Sequence, residues 1–294
     1  MGLDKTGRKN PLPPPLLGSL SNLHQMNTLP DSHHFQSPDA EPGITVIIPC
    51  FNEELNMVQC LESVKWAEQI MVVDSFSTDR TLEIARQYTA DIVQRKYISN
   101  ADQMNWAIPR AACAWVLVVE ADERVTRDLK NEILGLNLAS CPEDGFWIKR
   151  ENYLFGKKMR YSGWGKDQGL RLFKRDKGRK QNKRVHAEYE VPRAGTLKSP
   201  MLHYPMPSME VWVEKINRYT TWKAMDKQEK ESIHPLLHLF LRPGARFFKD
   251  SLLRLGFLDG WRGLLVAAMS AFAELIMSAK LLKLKMDRKS GTQQ

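Results

Sequence analysis

The sequence predicts an α/β fold built on a mostly parallel sheet. Short runs of β-branched and apolar residues alternate with helix-length stretches, and three of those runs end in an acidic turn. This alternation is the signature of βαβ units. At 294 residues, with 43% hydrophobic and 26% charged residues, the chain is long enough for one large domain with an accessory segment, and wholesale disorder is excluded.

Residues 1–43 hold Pro11, Pro13, Pro14 and Pro15, scattered polar residues and the pair His33 and His34, without apolar periodicity. They read as a disordered tail, with the histidines solvated. Ile44 to Ile48 is a β-branched run of the kind buried on both faces of a parallel sheet. Glu53 to Ala67 reads as a helix with Leu55, Val58, Leu61 and Val64 on its apolar side. A strand over Ile70 to Val73 follows, then a helix over Ser77 to Tyr88 with Ser77 or Thr78 near its N-cap, and a short strand over Asp91 to Gln94. Asp102 to Ala112 is expected to be helical despite Pro109, and Trp115 to Val119 is the fourth strand. Beyond residue 145 the pattern loosens into shorter strands, and helices take over from Met209. The expected organisation is a tail (1–43), an α/β domain (44–208) and a helical, basic segment (209–294).

Charge divides unevenly. Residues 44–145 carry 9 basic and 16 acidic groups, while 146–294 carry 31 and 14, so a net charge of −7 precedes one of +17. The basic half suits nucleic acid, anionic lipid or a phosphorylated substrate. Cys50, Cys60, Cys113 and Cys141 form no CxxC pair, and the start lacks a secretory pattern, which predicts a reducing, cytoplasmic setting and no zinc site.

In open α/β sheets ligands bind beyond the carboxyl ends of the strands. Three acidic turns stand there: Asn52-Glu53-Glu54 after strand one, Asp74 to Asp79 after strand two, and Glu120-Ala121-Asp122-Glu123 after strand four. No GxGxxG follows strand one and no GxxxxGK[ST] occurs, which argues against dinucleotide oxidoreductases and P-loop enzymes. Glu120 and Asp122, one residue apart, offer hard oxygen ligands for Mg²⁺ or Mn²⁺, which could in turn hold a diphosphate; the bland alternative is a helix-capping turn.

Val46 to Glu54, Val72 to Thr81 and the Glu120 to Val125 turn resemble the family 2 inverting glycosyltransferases of the GT-A fold. Asn152 to Lys157, Gly163-Trp164, Leu170 to Arg175, Val185-His186 and Gly256 to Gly263 narrow the resemblance to the lipopolysaccharide-core glucosyltransferase subgroup, over about residues 44–285. The resemblance implies a nucleotide-diphosphate sugar donor, a UDP-hexose, and a lipid-linked or lipopolysaccharide-core acceptor. It places Pro49, Asn52, Glu53, Asp74, Asp79, Asp102 and Asn105 around the donor, with Asp79 alternatively a cap. Asp122 and Glu120 would hold the divalent metal on the diphosphate. The family's first acidic position is Asp, whereas this chain has Glu120, and that departure leaves room for weakened catalysis.

Inverting transfer needs a base for the acceptor hydroxyl. By resemblance Asp167, after the Gly163-Trp164 pair, is the first choice and Glu188 the second, one residue off the family's usual place directly after the His. Arg171, Trp164 and His186 fall on the acceptor side; Trp164 either stacks on a sugar or covers a loop, and His186 either contacts phosphate or metal or is structural. Rival readings are a polyprenyl-phosphate sugar transferase and a non-catalytic sugar-nucleotide-binding scaffold.

The basic run from Arg171 to Arg184 reads as a solvated loop or an anionic-lipid contact, and no nucleic-acid motif accompanies it. Gly263 to Leu282 is apolar but interrupted by Glu274 and Lys280, so no spanning helix is expected. Ser270, Glu274 and Ser278 make a polar stripe, and with Phe247, Phe248, Leu252 and Leu253 upstream the region reads as amphipathic helices at a membrane surface, or packed on the catalytic domain or a second subunit. The expected location is the inner face of the cytoplasmic membrane, with peripheral attachment.

Overall fold

The computed structural model describes residues 41–181, 188–227 and 235–289. Its first half alternates as expected: β1 (Glu41–Cys50), α1 (Glu54–Val64), β2 (Gln69–Asp74), α2 (Thr81–Ala85), β3 (Ile92–Gln94), α3 (Asn100–Ala107) and β4 (Cys113–Val118). Then follow β5 (Glu123–Val125), α4 (Arg127–Leu134), β6 (Gly145–Leu154), β7 (Lys157–Lys158), β8 (Asp167–Lys174), β9 (Arg179–Lys180), β10 (Tyr189–Glu190), β11 (Ala194–Thr196) and β12 (Met201–His203). Three long helices close the chain: α5 (Met209–Lys227), α6 (Pro235–Phe248) and α7 (Trp261–Lys289).

The main sheet runs β3-β2-β1-β4-β8-β6-β12-β5. The β3, β2, β1 and β4 strands pair in parallel, β8 enters antiparallel to both β4 and β6, and β12 lies parallel to β6 and antiparallel to β5. Alternation along β1 feeds two layers: Val46 and Ile48 join the core under α1 and α4, while Ile47 joins Met71, Val73, Val116 and Val118 under α3. The unbroken apolar run therefore has a physical cause, since neither face of β1 meets water.

Two local expectations shift. In α1 the buried side chains are Asn56, Met57, Cys60, Leu61 and Val64, while Leu55 and Val58 are exposed. A strict three-residue step drifts roughly 60° per step around an α-helix, so Leu55 and Val64 cannot share a face. The second helix begins at Thr81 rather than Ser77 because Ser77 and Thr78 are used in the turn, where the Ser77 backbone N–H donates to Asp74 and that of Thr78 donates to Asn52. Pro109 ends α3, which tightens into a 3₁₀ turn over Ile108–Arg110.

The helical third is tied to the sheet. Trp212 and Ile216 of α5 and Val266 of α7 pack with Leu154 and Met159. Buried Asp259, between α6 and α7, accepts from the backbone N–H groups of Arg160 and Tyr161. By length and composition α7 could cross a membrane, contrary to the sequence expectation, yet it packs along α5 and α6, with Ser278 Oγ donating to the His238 carbonyl.

Candidate active site

A cleft of about 590 Å³ opens at the carboxyl ends of β1, β2 and β4. Its floor is the Pro49 to Glu53 turn, Ser75 and the Glu120 to Asp122 turn; Asn100 and Gln103 of α3 line one side, and His203, Lys215, Arg218, Tyr219 and Trp222 the other. The turns are stitched to each other. Asn52, held at φ 54, accepts from Thr78 N–H through its side chain, and its own N–H donates to Ser77 Oγ. The Glu53 N–H donates to Thr81 Oγ1, and the Glu54 N–H to Asp79.

Behind the floor lies a chain of charges set by strand register. Arg150 and Asn152, two residues apart on β6, share a face; Arg150 stands opposite Asp167 of β8, and Asn152 opposite His203 of β12. Arg171 of β8 donates to Glu120 Oε1 through both terminal nitrogens at 3.0 Å and to Glu123 Oε1 at 2.7 Å. Arg150 bridges Glu123 at 3.2 Å and Asp167 at 2.6 Å. Asn152 Nδ2 donates to Asp167 at 3.2 Å, and its Oδ1 lies 2.5 Å from His203 Nδ1. An amide oxygen only accepts, so Nδ1 carries the proton and Nε2 faces Asp122 Oδ1, 3.6 Å away. The path from Glu120 to Asp122 thus runs through six side chains and closes at the same turn. Glu123 is its hub: fully buried, it also accepts from the Glu120 N–H at 2.9 Å.

Electrostatics follow. Burial would push Asp122 upward, but the His203 ring and the Lys215 ammonium, 3.3 Å from Oδ2, hold its carboxyl below the usual carboxylate range. Burial opposes Glu120 in the same way and Arg171 outweighs it. Glu53 moves the other way, raised by burial and by Asp122. His203, depressed by burial, ends raised because Asp122 faces it.

Of the residues expected around the donor, Pro49, Glu53, Glu120 and Asp122 line the cleft. Asn52, Asp74, Asp79, Asp102 and Asn105 lie in the surrounding turns and α3. There Asp74 accepts from Ser77 and Gln94, Asp79 from the backbone at both helix starts, Asp102 from Arg95, and Asn105 brackets the Lys180 backbone. Asp79 thus accepts from the first residue of each helix, while among the described residues the N-cap residues Glu53 and Arg80 make no side-chain cap hydrogen bond. Asp167 and Arg171 belong to the charge chain rather than to the cleft lining, and Arg171 is buried. Trp164 packs against Trp212, Glu188 is exposed beside β10, and His186 lies outside the described residues. Sequence reasoning missed His203 and the α5 wall; the stretch from Asp102 to Asn105 was expected near the nucleotide, and Gln103 is its member that lines the cleft. The signal for the wall was present, because Lys215, Arg218, Tyr219 and Trp222 fall at i, i+3, i+4 and i+7 on one helix face.

A mostly parallel sheet flanked by helices, with an acidic turn at the end of β4 and a C-terminal helix, is the GT-A architecture of glycosyltransferases. Residues 45–185 match the family described as Glycosyl transferase family 2, and the chain is an enzyme carrying a glycosyltransferase family 2 domain. It is 29% identical over 247 residues, 80% of this chain and 87% of the relative, to the lipopolysaccharide core biosynthesis glycosyltransferase LpsC of Rhizobium meliloti (strain 1021). It is 26% identical over 252 residues, 81% of this chain and 89% of the relative, to an uncharacterized glycosyltransferase of Rickettsia felis. The crystal structure of S. aureus TarS 1–349 in complex with UDP-GlcNAc superposes with a TM-score of 0.44 at 14% identity, covering 85% of this chain and 92% of that one.

Removing the hub should be costly. Glu123→Ala leaves buried Arg171 and half-buried Arg150 without their shared counter-ion, and a loss of about 3–5 kcal/mol is expected from urea unfolding, the usual cost of breaking a buried ion pair. A loss under about 1 kcal/mol would show that the charge chain does not hold the sheet together.

Proposed function

We propose that this enzyme transfers a hexose from a nucleotide-diphosphate sugar, a UDP-hexose, to a lipopolysaccharide-core or other lipid-linked acceptor, with inversion at the anomeric carbon. The observation that carries the reading is the cleft, where carboxylates of two strand-end turns face two cations of α5 beyond the strand ends, the place at which α/β sheets bind nucleotides. The LpsC likeness supports the acceptor class.

The acidic turn fits a divalent cation. Asp122 Oδ1 is buried and accepts no hydrogen bond among the described residues, and Glu120 engages Arg171 through Oε1 alone. Mg²⁺ or Mn²⁺ at a phosphate site is commonly held by one or two carboxylates and completed by substrate phosphates. Asp122 and Glu120 would hold the ion, whose chemistry is to neutralise charge on the departing diphosphate.

The residues of the chain do the rest. An acceptor oxygen bonds to C1 of the sugar as the bond from C1 to the phosphate oxygen breaks, the electron pair leaving with the nucleotide diphosphate. The acceptor proton goes to a carboxylate. Asp167 is assigned that role: Arg150 and Asn152 fix one lone pair on each oxygen, which leaves others to accept a proton. Glu188 is the second candidate. Asn152 links Asp167 to His203 on the cleft wall, so base and donor turn share one rigid support.

The acceptor class favours peripheral attachment at the inner face of the cytoplasmic membrane, with the protein cytoplasmic. The supporting observation is the exposed apolar surface of α6, the turn after it and the start of α7, including Phe240, Leu241, Phe248, Leu253, Phe257 and Trp261, with Arg246, Arg254 and Arg262 in the same stretch.

Three measurements test this reading. Calorimetric UDP affinity should fall on adding EDTA, and Asp122→Ala should abolish that dependence; unchanged affinity in both would reduce the acidic turn to a structural role. Asp167→Asn should lower turnover by about 10² to 10⁴-fold with UDP affinity intact, as expected for loss of a general base, whereas full activity in Asp167→Asn with inactivity in Glu188→Gln would move the base to Glu188. The protein should pellet with phosphatidylglycerol vesicles and release as ionic strength shortens the reach of surface charge to about 8 Å; binding to neither anionic nor neutral vesicles would rule out the membrane surface.

A further inference from the structure

The cleft holds three carboxylates, Glu53, Glu120 and Asp122, and among its described lining residues the Lys and Arg side chains are two, Lys215 and Arg218. A diphosphate entering this floor meets like charge. Arg171 offers no relief at the surface, since it is buried and donates inward to Glu120 and Glu123. Counter-charge beyond that of a bound divalent cation has to come from the wall.

Lys215 and Arg218 are three residues apart on α5, which brings both side chains to one face one turn apart. The Lys215 ammonium has three donors. One points to Asp122 Oδ2 at 3.3 Å and one to the Pro205 carbonyl at 2.9 Å, so the third is left for the cleft. Arg218 pairs with no carboxylate among the described residues; its guanidinium lies 5.7 Å from the Tyr219 ring centroid and 5.8 Å from that of Trp222. Trp222 stacks in turn on Tyr97, their centroids 6.2 Å apart. An arginine steadied on aromatic faces keeps its forked N–H donors available for a planar or tetrahedral anion.

We propose that Lys215 and Arg218 are diphosphate-binding residues of the donor cleft, neutralising the leaving group from the wall opposite the acidic turn. The assignment rests on the nucleotide-sugar reading above. It gives α5 a part in the reaction: as the bond from C1 to the phosphate oxygen breaks, the electron pair settles on an oxygen facing two fixed cations. Lys215 also spans the two functions, touching Asp122 and the ligand together. Some diphosphate affinity should then survive without any divalent ion.

The test uses the full-length protein and calorimetry with uridine, UMP and UDP, each in EDTA and again with Mn²⁺. Wild type should prefer UDP to uridine even in EDTA. Lys215→Met and Arg218→Met should each weaken UDP in EDTA by about tenfold or more, the usual scale for a lost charge-assisted contact, while uridine affinity stays within about twofold. Lys215→Arg should recover part of the loss. If Lys215→Met misfolds because Asp122 loses its partner, Arg218→Met, which breaks no ion pair, still decides. A UDP-to-uridine preference in EDTA unchanged in both Met variants overturns the proposal while leaving the nucleotide reading intact. Failure of wild type to bind any of the three, with or without Mn²⁺, overturns both.

Discussion

Glu123 and the two arginines that close on it, Arg171 and Arg150, are the interaction on which the site depends. Three charged side chains beneath a ligand cleft cost several kcal/mol each in desolvation unless they satisfy one another. They do so across three strands, β5, β6 and β8, that are far apart in sequence. A β8 slipped by one residue would turn Asp167 and Arg171 to the opposite face and leave Glu123 alone, so the pairing acts as a register lock for the antiparallel half of the sheet. The parallel half carries apolar side chains on both faces and, among the described residues, no such buried charge pairing.

That lock explains how acidic residues can crowd the end of β4. Each carboxylate of the turn has a cation assigned from behind or beside it, Arg171 for Glu120, both arginines for Glu123, and Lys215 with His203 for Asp122. Arg171 holds the Glu120 carboxyl, and His203 with Lys215 the Asp122 carboxyl, below the usual carboxylate range. The cleft floor and Asp167 are then parts of one support, since the chain passes from Glu120 through Asp167 to Asp122 without leaving hydrogen-bond contact except at the 3.6 Å approach of His203.

Much of the first half was legible. β1, β2, β3 and β4, the helices between them and the acidic strand ends come from local patterning, and local patterning is what a sequence displays. The charge chain was not legible, because Arg150, Asn152, Asp167, Arg171 and His203 become neighbours only through antiparallel pairings that no short-range signal specifies. Arg171 illustrates the difficulty: in the sequence it opens a dense basic run and reads as surface, yet it is among the most buried charges of the protein. Leu55 and Val58 err in the opposite direction, apolar residues at helical spacing that face water because the apolar stripe drifts past them. The α5 wall was readable in principle, but its residues look like an ordinary basic amphipathic helix until the cleft is known.

The departure of Glu120 from the family's aspartate finds a physical reason in the same network. Arg171 stays behind the turn, anchored on Glu123, and meets Glu120 through both terminal nitrogens at a single oxygen, Oε1. The rest of the Glu120 side chain is about a third exposed and lies in the cleft wall. A glutamate is long enough to reach the guanidinium with one oxygen while part of its side chain stays exposed in the cleft. An aspartate, shorter by one carbon–carbon bond of about 1.5 Å, would have to give up the arginine or pull the turn inward. Losing the arginine contact would leave a guanidinium half-paired in a site that burial makes expensive. The extra methylene is therefore tied to Arg171, and the two positions form one unit in which the cation supplied by β8 sets the length of the acid at the end of β4.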